Sequence, residues 1–410
     1  MLSFDDALAI VLREALPLSE EEEVPLDQAV GRVLADDVRS DADRPAFDRA
    51  AMDGYALRAE DVRRVPVTLS VVDALRAGEW PERAVEAGEA VRIMTGSVVP
   101  GGASAVQQLE KTHSSDDGRT VDVLVPVKVG ANIARRGSEG RAGELVLSRG
   151  QLLDAASLGV LASVGCMRPR VARRPVVSLI VTGDEIVDGS QLPEPGQVRN
   201  SNGPALAAAA RAAGAEVRLL GAVPDRDEAI TAAVEAGFAS DVLLLSGGVS
   251  AGDYDRVEPA LQAAGASFFF TQVAIRPGAP MVFGRRGATL LFGLPGNPVS
   301  ALVTFELFVR PCLLRMQGAR AALRPRVTVE LLAPLANRSG RTSHSPARVR
   351  REAGRLVAEP VPSAGSADLV AHARANALVV LPRERTEAAA GETAEALLLG
   401  RFTEDDGAPL

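Results

Sequence analysis

The sequence has few cysteine, histidine and aromatic residues, and each shortage excludes a class of site. Its two cysteines, Cys166 and Cys312, lie far apart and lack metal-ligand spacing, so we interpret both as buried, reduced thiols. The three histidines are equally scattered, which leaves no zinc site or histidine-centred triad to assemble from the sequence. Aromatic residues make up only 3% of the chain, so we expect cores of Ala, Val and Leu.

Long apolar runs and an excess of positive charge are missing as well. No apolar run reaches the roughly 18 residues of a membrane span, and the acidic N-terminus does not resemble a signal peptide, so we expect a cytoplasmic protein. The 45 basic and 53 acidic residues give a net charge of −8, which disfavours nucleic acid as a partner. Lys111 and Lys128 are the only lysines, so a missing lysine at one site says little about that site.

The 410 residues suffice for two to four domains, and the residue pattern changes along the chain. Residues 3–16 have helical periodicity, and short β-like runs fill about 45–136. In the next part, four apolar runs lie at 176–183, 217–223, 241–248 and 289–296, and all but the second end in glycine. Helical segments lie between and after them, at 204–213, 226–238, 254–264 and 298–316. This alternation predicts a parallel α/β sheet with helices on both faces. The tail from 319 predicts a small β-barrel or sandwich.

Three loops of the predicted α/β domain carry polar groups where such sheets bind ligands. Asp184 and Glu185 follow the first strand and could hold Mg²⁺ or orient a hydroxyl, although acidic loops of this kind are common. The segment SGGVSAGDYD (246–255) combines a glycine turn with carboxylates, which suits a phosphate bridged by Mg²⁺ or an ordinary capped turn. In LPGNPVSA (294–301), two prolines fix a helix start, but they do not explain Asn297.

Taken together and in order, these loops and several others resemble the MoeA-type molybdopterin molybdenumtransferase family, which includes the E domain of gephyrin. The matching stretches are AMDGYA (51–56), RIMTG (92–96), NIARRG (132–137), TGDE (182–185), GGVSAGDYD (247–255), RPGAP (276–280) and LPGNPVSA (294–301). They cover nearly the whole chain, and several matches in register are far more specific than any one alone.

The resemblance implies a multidomain α/β plus β fold and an elongated homodimer. A discontinuous N-terminal domain would comprise residues 1–44 and 137–172, split by an inserted β-rich domain at 45–136. A central parallel α/β sheet domain, with helices on both faces, would occupy 173–318, and a C-terminal β-barrel 319–410. The active site would lie between the α/β domain of one chain and the inserted domain of the other.

The reaction implied by the resemblance is the Mg²⁺-dependent insertion of molybdate into adenylylated molybdopterin, with release of AMP. By the same resemblance, the metal ligands would be Asp184, Glu185 and Asp255. The catalytic residues would be Asp53, Thr95, Glu185, Asp225 and Asp255. The substrate-binding residues would be Arg136, Glu139, Gly247, Gly248, Ser250, Arg276, Pro295, Asn297, Pro298, Arg348 and Ser366. Molybdopterin adenylyltransferase and other proteins of the cofactor pathway would be possible partners.

The chain departs from the family pattern at three places. Gly-Ser-Glu-Gly stands at 137–140 in place of a Gly-Glu-Asp run, and Arg226 interrupts a usual acidic pair. Ala279 replaces a lysine, which removes a cation where an anionic substrate should bind. An alternative therefore stays open, in which the chain is a catalytically impaired paralogue that acts as a dimeric binding scaffold. A generic nucleotide-binding enzyme is less favoured, because neither a dinucleotide fingerprint nor a Walker loop is present.

Overall fold

The computed structural model describes residues 1–248 and 256–400, and its central unit is an α/β domain with a six-stranded sheet. We number its strands in chain order: β1 (Val176–Thr182), β2 (Glu216–Val223), β3 (Val242–Ser246), β4 (Ser267–Gln272), β5 (Pro280–Arg286) and β6 (Thr289–Leu294). Their order across the sheet is β2-β1-β3-β6-β5-β4. Strands β2, β1, β3 and β6 run parallel to one another, which confirms the predicted sheet. At one edge, β5 pairs antiparallel with β6, and β4 pairs antiparallel with β5. Periodicity alone does not separate such short apolar runs from buried helix.

Helices cover both faces of this sheet, as predicted. They are α1 (Asn202–Ala212), α2 (Asp227–Gly237), α3 (Val257–Ala263), α4 (Pro298–Thr304) and α5 (Arg310–Met316). Successive strand residues point to opposite faces, so Leu179 packs in one apolar core and Ile180 in the other. A π-helical segment, Phe305–Val309, joins α4 to α5 ahead of Pro311, which has no N–H to donate to a regular turn.

Phenylalanine concentrates in the larger of these two cores. The rings of Phe283 and Phe292 are tilted by 36° with centroids 4.7 Å apart, and both are fully buried. The expected Ala, Val and Leu residues still make up most of this core, and six phenylalanines pack among them. The N-terminal helix, Phe4–Glu14, buries Phe4 and Val11 in the same core. This helix thus packs on the α/β domain, whose residues are distant from it in sequence.

A second six-stranded sheet fills the inserted region. Its strands, in spatial order, are Ala105–Gln108, Gly54–Leu57, Glu89–Ile93, Val67–Leu75, Thr120–Val123 and Thr112–Ser114. Strand Gly54–Leu57 is buried along its whole length and pairs on both sides. Gly54 leaves no room for a side chain, since a Cβ built there would lie 1.8 Å from the Gln107 carbonyl oxygen.

The segments before and after this insertion pair with each other. Strand Glu21–Glu23 pairs with Arg170–Ala172, and Val38–Arg39 pairs with Leu145–Leu147. The helix Ala155–Ser163 closes the small core that they share. Both pairings join chain segments on either side of the inserted sheet: Glu21 and Ala172 are 151 residues apart, and Val38 and Leu147 are 109 residues apart.

The C-terminal region forms a closed five-stranded barrel. Its strands are Arg326–Leu331, Thr342–Glu352, Arg355–Pro360, Ala377–Leu381 and Thr393–Leu398, with a short helix, Leu369–Arg374, beside them. Each of these described strands pairs with two others, so the sheet that they form has no free edge. None of the helices in the described ranges has the length and apolarity that crossing a lipid bilayer requires.

The close packing at Gly54 generates a stability prediction. We expect Gly54→Ala to lower the free energy of unfolding of the inserted domain by about 3 kcal/mol, because the added methyl meets backbone that cannot move aside. Gly159→Ala is the matched control, since Gly159 lies exposed within a helix and a Cβ built there would have no described atom within 4 Å. That variant should gain about 0.5–1 kcal/mol. Thermal melts of both variants check the contrast, and equal melting temperatures would contradict it.

Candidate active site

A cleft of roughly 610 Å³ opens at the carboxyl edge of the parallel strands. Its walls come mainly from the turns that follow β1, β2, β3 and β6, with one residue, Ala367, from the barrel. Parallel strands expose their carboxyl ends at the same edge, so loops that are distant in sequence meet there. The described parts of the three polar loops predicted in the α/β domain, of which the second is described only as far as Gly248, all line this cleft.

Three acidic residues meet where β1 and β2 end. The backbone N–H of Asp225 donates to Asp184 Oδ1 at 3.0 Å, and both Glu185 and Asp225 line the cleft. Partial burial raises the pKa of Asp225, and repulsion from Asp184 and Glu185 raises it further. A divalent cation would relieve this repulsion, and carboxylate oxygens are the ligands that Mg²⁺ prefers. These carboxylates therefore offer oxygen ligands of the kind that Mg²⁺ prefers.

The described residues alone do not complete a metal site. Within 1–248 and 256–400, no group of three or more acidic, histidine or cysteine side chains has a metal-ligating arrangement. Asp255, the third predicted ligand, lies outside the described residues, as do Ser250 and Asp253. The proximity of Asp184, Glu185 and Asp225 is thus what favours a cation here.

The glycine turn after β3 forms the floor of the cleft. Gly247 and Gly248 adopt φ values of 100° and 62°, which side chains rarely tolerate. A Cβ on Gly247 would lie 2.6 Å from the Thr182 carbonyl oxygen, so only glycine fits. The Gly247 N–H donates to the Leu294 carbonyl at 3.1 Å. Because this N–H is already hydrogen-bonded, it is not available to a ligand. Gly247 therefore serves a ligand site by having no side chain.

The turn between β6 and α4 carries Asn297 to the edge of the cleft. Pro298 begins the helix with its φ already fixed. The Asn297 amide donates to the Ser366 hydroxyl at 2.9 Å, and the Val299 N–H donates to the Ser366 carbonyl at 3.0 Å. Pro295, Asn297 and Pro298 were all predicted as site residues, and they line the cleft together with Gly296. The two bonds anchor the barrel segment around Ser366 to the start of α4.

The segment Asn200–Asn202 also lines the cleft, although its residues were not predicted as site residues. The buried Asn202 amide donates to Ser246 Oγ and to the Gly296 carbonyl, both at 2.8 Å. It thereby ties the end of β3 to the turn after β6. The available signal was the polar run Arg-Asn-Ser-Asn directly before a predicted helix in an α/β pattern.

A second cleft, of roughly 630 Å³, lies between the α/β domain and the barrel. Arg276 and Arg341 line it together with several hydroxyl groups, namely those of Ser300, Ser343, Ser345, Ser363 and Ser366. Ala279 lines it too and is almost fully buried. Burial lowers the pKa of the lining residue His344 to about 4, so this imidazole is neutral at pH 7. The arginines therefore supply the positive charge of this cleft.

Arg348, a predicted substrate-binding residue, is not among the described residues that line either cleft. It lies on strand Thr342–Glu352, half-buried and directly across from Glu359. The other predicted residue of the barrel, Ser366, does line the second cleft.

Four predicted residues lie in or next to the inserted domain, away from both clefts of their own chain. Asp53 accepts hydrogen bonds from the backbone N–H and the hydroxyl of Thr95, both at 2.7 Å, and these bonds lower the pKa of Asp53. Arg136 pairs with Asp43 at 2.8 Å. Glu139, which stands at one of the family departures, pairs with Arg49. The structure brings Asp53 and Thr95 together and places the other two in separate ion pairs.

Comparisons with protein families match almost the whole chain. Residues 2–165 match the model of the MoeA N-terminal region (domain I and II), 178–315 a probable molybdopterin binding domain, and 328–399 the MoeA C-terminal region (domain IV).

Individual relatives agree with these family matches. The molybdopterin molybdenumtransferase of Staphylococcus aureus strain Mu50 is 33% identical over 390 residues, which cover 94% of this chain and 92% of the relative. The same enzyme from Staphylococcus epidermidis strain RP62A is 32% identical over 92% of this chain and 90% of its own length. The crystal structure of the molybdopterin biosynthesis moeA protein from Pyrococcus horikoshii OT3 superposes with a TM-score of 0.82. It is 31% identical and covers 97% of this chain and 100% of its own.

The repulsion among the three carboxylates generates a prediction for Asp225→Asn. Without divalent cations, this variant should melt a few degrees above the wild type, because it removes one like charge from a partly buried cluster. Added Mg²⁺ should then stabilise the variant less than it stabilises the wild type. Melting curves with EDTA and with millimolar MgCl₂ measure both effects.

Asp227→Asn is the matched control for this experiment. Asp227 lies two residues away but is exposed and pairs with Arg256 at 2.8 Å. Its loss should leave the Mg²⁺ effect unchanged. A Mg²⁺ response equal in the wild type and in Asp225→Asn would contradict a cation site at Asp225.

Proposed function

This chain belongs to the MoeA family of molybdopterin molybdenumtransferases, enzymes of molybdenum cofactor biosynthesis, and we propose that it inserts molybdate into adenylylated molybdopterin with release of AMP. In the proposed reaction, both adenylylated molybdopterin and molybdate are substrates and Mg²⁺ is required. The adenylylated substrate has to be supplied by a separate molybdopterin adenylyltransferase.

The observation that carries this proposal is that the two clefts are adjacent. Pro280 lines both of them, and the neighbouring residues Ser366 and Ala367 line one each. One cleft has a glycine floor and carboxylates, and the other has arginines and hydroxyls. Adenylylated molybdopterin has a pyrophosphate at one end and a dithiolene that must meet molybdate, so two adjacent clefts of this kind fit the two substrates.

The first cleft would hold the pyrophosphate of the substrate. Asp184 and Glu185 would hold Mg²⁺ together with the predicted third ligand Asp255, which lies outside the described residues, and the bound Mg²⁺ would offset the negative charge of the phosphates. The Gly247–Gly248 turn would let the phosphate oxygens approach the backbone closely. Asn297 and its flanking prolines would shape the boundary with the second cleft.

The second cleft would hold molybdate. Molybdate is a dianion with oxygen atoms that accept hydrogen bonds, and two guanidinium groups with several hydroxyls match it. Ala279 leaves this cleft without the lysine that the family pattern has at that position. Arg341 supports the proposal at this point, because it provides a second cation in the same cleft as Arg276.

The active site is proposed to be shared in a homodimer. Asp53 and Thr95 of the partner subunit would reach the first cleft. The support is twofold: both residues are exposed next to each other on the inserted domain, and all described lining residues of the first cleft belong to the α/β domain and the barrel.

An AMP-release assay tests the proposed reaction and the role of Arg341. With Mg²⁺, molybdate and adenylylated molybdopterin, the wild type should release AMP. Arg341→Ala should lower the rate about tenfold, since a charge-assisted contact to the oxyanion is lost. Adding Ala279→Lys to that variant should restore much of the loss by returning a cation to the cleft.

Arg338→Ala is the control, because Arg338 is exposed and is not among the described lining residues of the cleft. If the wild type released no AMP, the scaffold alternative would replace the catalytic proposal. If Arg341→Ala behaved like Arg338→Ala, the assignment of the second cation would fail while the reaction stood.

Mixing two inactive variants tests the shared site. Asp53→Asn and Asp225→Asn should each abolish most activity alone, whereas mixed dimers regain one intact site that combines Asp225 of one chain with Asp53 of the other. AMP release after co-refolding or subunit exchange measures this recovery. The double variant mixed with Asp53→Asn should not recover, because it creates no intact site. Equal activity in both mixtures would contradict a site shared between chains.

A further inference from the structure

One buried hydroxyl in the α/β domain lacks a hydrogen-bond partner among the described residues. It belongs to Thr182, at the end of β1, whose side chain is buried. Two comparable hydroxyls on the same sheet are bonded: Ser246 Oγ donates to the Pro295 carbonyl, and Thr289 Oγ1 donates to the Ser240 carbonyl at 2.7 Å. A buried donor without a partner costs free energy, so its position invites a functional explanation.

The Thr182 hydroxyl lies directly under the glycine turn of the first cleft. A Cβ built on Gly247 would lie 2.9 Å from Thr182 Oγ1, and one built on Gly248 would lie 3.1 Å from it. The hydroxyl oxygen itself has less than 1 Å² of exposed surface. A ligand in the cleft therefore cannot touch this oxygen, and Thr182 can affect a ligand only through the turn above it.

The turn has freedom to move at one peptide. The Gly247 N–H is held by the Leu294 carbonyl, so that side of Gly247 is fixed. The next peptide joins two glycines, both at positive φ, and such a peptide can rotate at low cost because neither residue has a side chain to clash. Its carbonyl belongs to Gly247 and its N–H to Gly248.

We propose that Thr182 is a positioning residue for anion binding in the first cleft. When a phosphate oxygen enters, the Gly247–Gly248 peptide rotates so that the Gly248 N–H donates to the oxygen and the Gly247 carbonyl accepts from the Thr182 hydroxyl. The ligand thus gains a donor while the buried hydroxyl gains its missing partner. This inference rests on the proposed function only in taking the ligand of this cleft to be a phosphate.

Binding of inorganic pyrophosphate in the presence of Mg²⁺ tests the proposal by calorimetry. Thr182→Val keeps the shape of the side chain and removes the hydroxyl. We expect this variant to bind pyrophosphate about tenfold more weakly, because the Gly247 carbonyl of the rotated peptide loses its hydrogen-bond donor. Its melting temperature without ligand should equal or exceed that of the wild type, since no bond is lost. Thr182→Ser, which keeps the hydroxyl, should restore affinity.

Thr289→Val provides the matched control from the opposite end of the sheet. It removes a hydroxyl that is bonded to two carbonyls, so it should lower the melting temperature and leave pyrophosphate affinity unchanged.

Equal affinity in the wild type and Thr182→Val would overturn the positioning role alone. A drop in the melting temperature of ligand-free Thr182→Val like that of Thr289→Val would also overturn it. Failure of the wild type itself to bind would contradict the phosphate site, and with it both proposals.

Discussion

The architecture of the candidate site depends on how closely three strand ends approach one another. A Cβ on Gly247 would meet the Thr182 carbonyl at 2.6 Å, and the Gly247 N–H is bonded to the Leu294 carbonyl. These contacts join the carboxyl ends of β1, β3 and β6 through backbone atoms. Because the strand ends are held together through their backbones, the loops that follow them line one cleft. The buried Asn202 side chain adds a hydrogen bond to the Gly296 carbonyl.

Charge is distributed between the two clefts in opposite ways. Carboxylates face the first cleft and repel one another, which raises the pKa of Asp225 and makes the cleft a better host for a cation than for a bare anion. The second cleft holds Arg276 and Arg341 beside a histidine that burial keeps neutral. A net charge of −8 is therefore compatible with anionic substrates, since the arginines act locally and a metal ion can reverse the sign of the acidic cleft.

Much of this candidate site could be predicted from the sequence, because the polar residues that follow each parallel strand all lie at the same edge of the sheet. A strand that ends in glycine and continues into acidic or amide residues identifies both the edge of the sheet and its ligand groups. Asn202 escaped prediction because its role is to bond the Gly296 carbonyl, a contact between segments 94 residues apart. Arg341 escaped because it stands in the barrel, and only the closing of the barrel against the α/β domain brings it beside Ala279. The N-terminal helix, Phe4–Glu14, had a recognisable apolar face, but periodicity does not say which domain a face will pack on.

The barrel is part of the site because its placement is fixed by bonds to the α/β domain. Strand Ile275–Arg276 pairs with the start of the barrel strand Thr342–Glu352, directly beside the second cleft. At the other side, Ser366 is held by the amide of Asn297 and the N–H of Val299. The residue that bounds the first cleft, Asn297, thus also positions a hydroxyl of the second. A change at Asn297 should therefore affect both clefts together. The prolines on either side would suffice to start the helix, so this link between the clefts explains why an amide side chain lies between them.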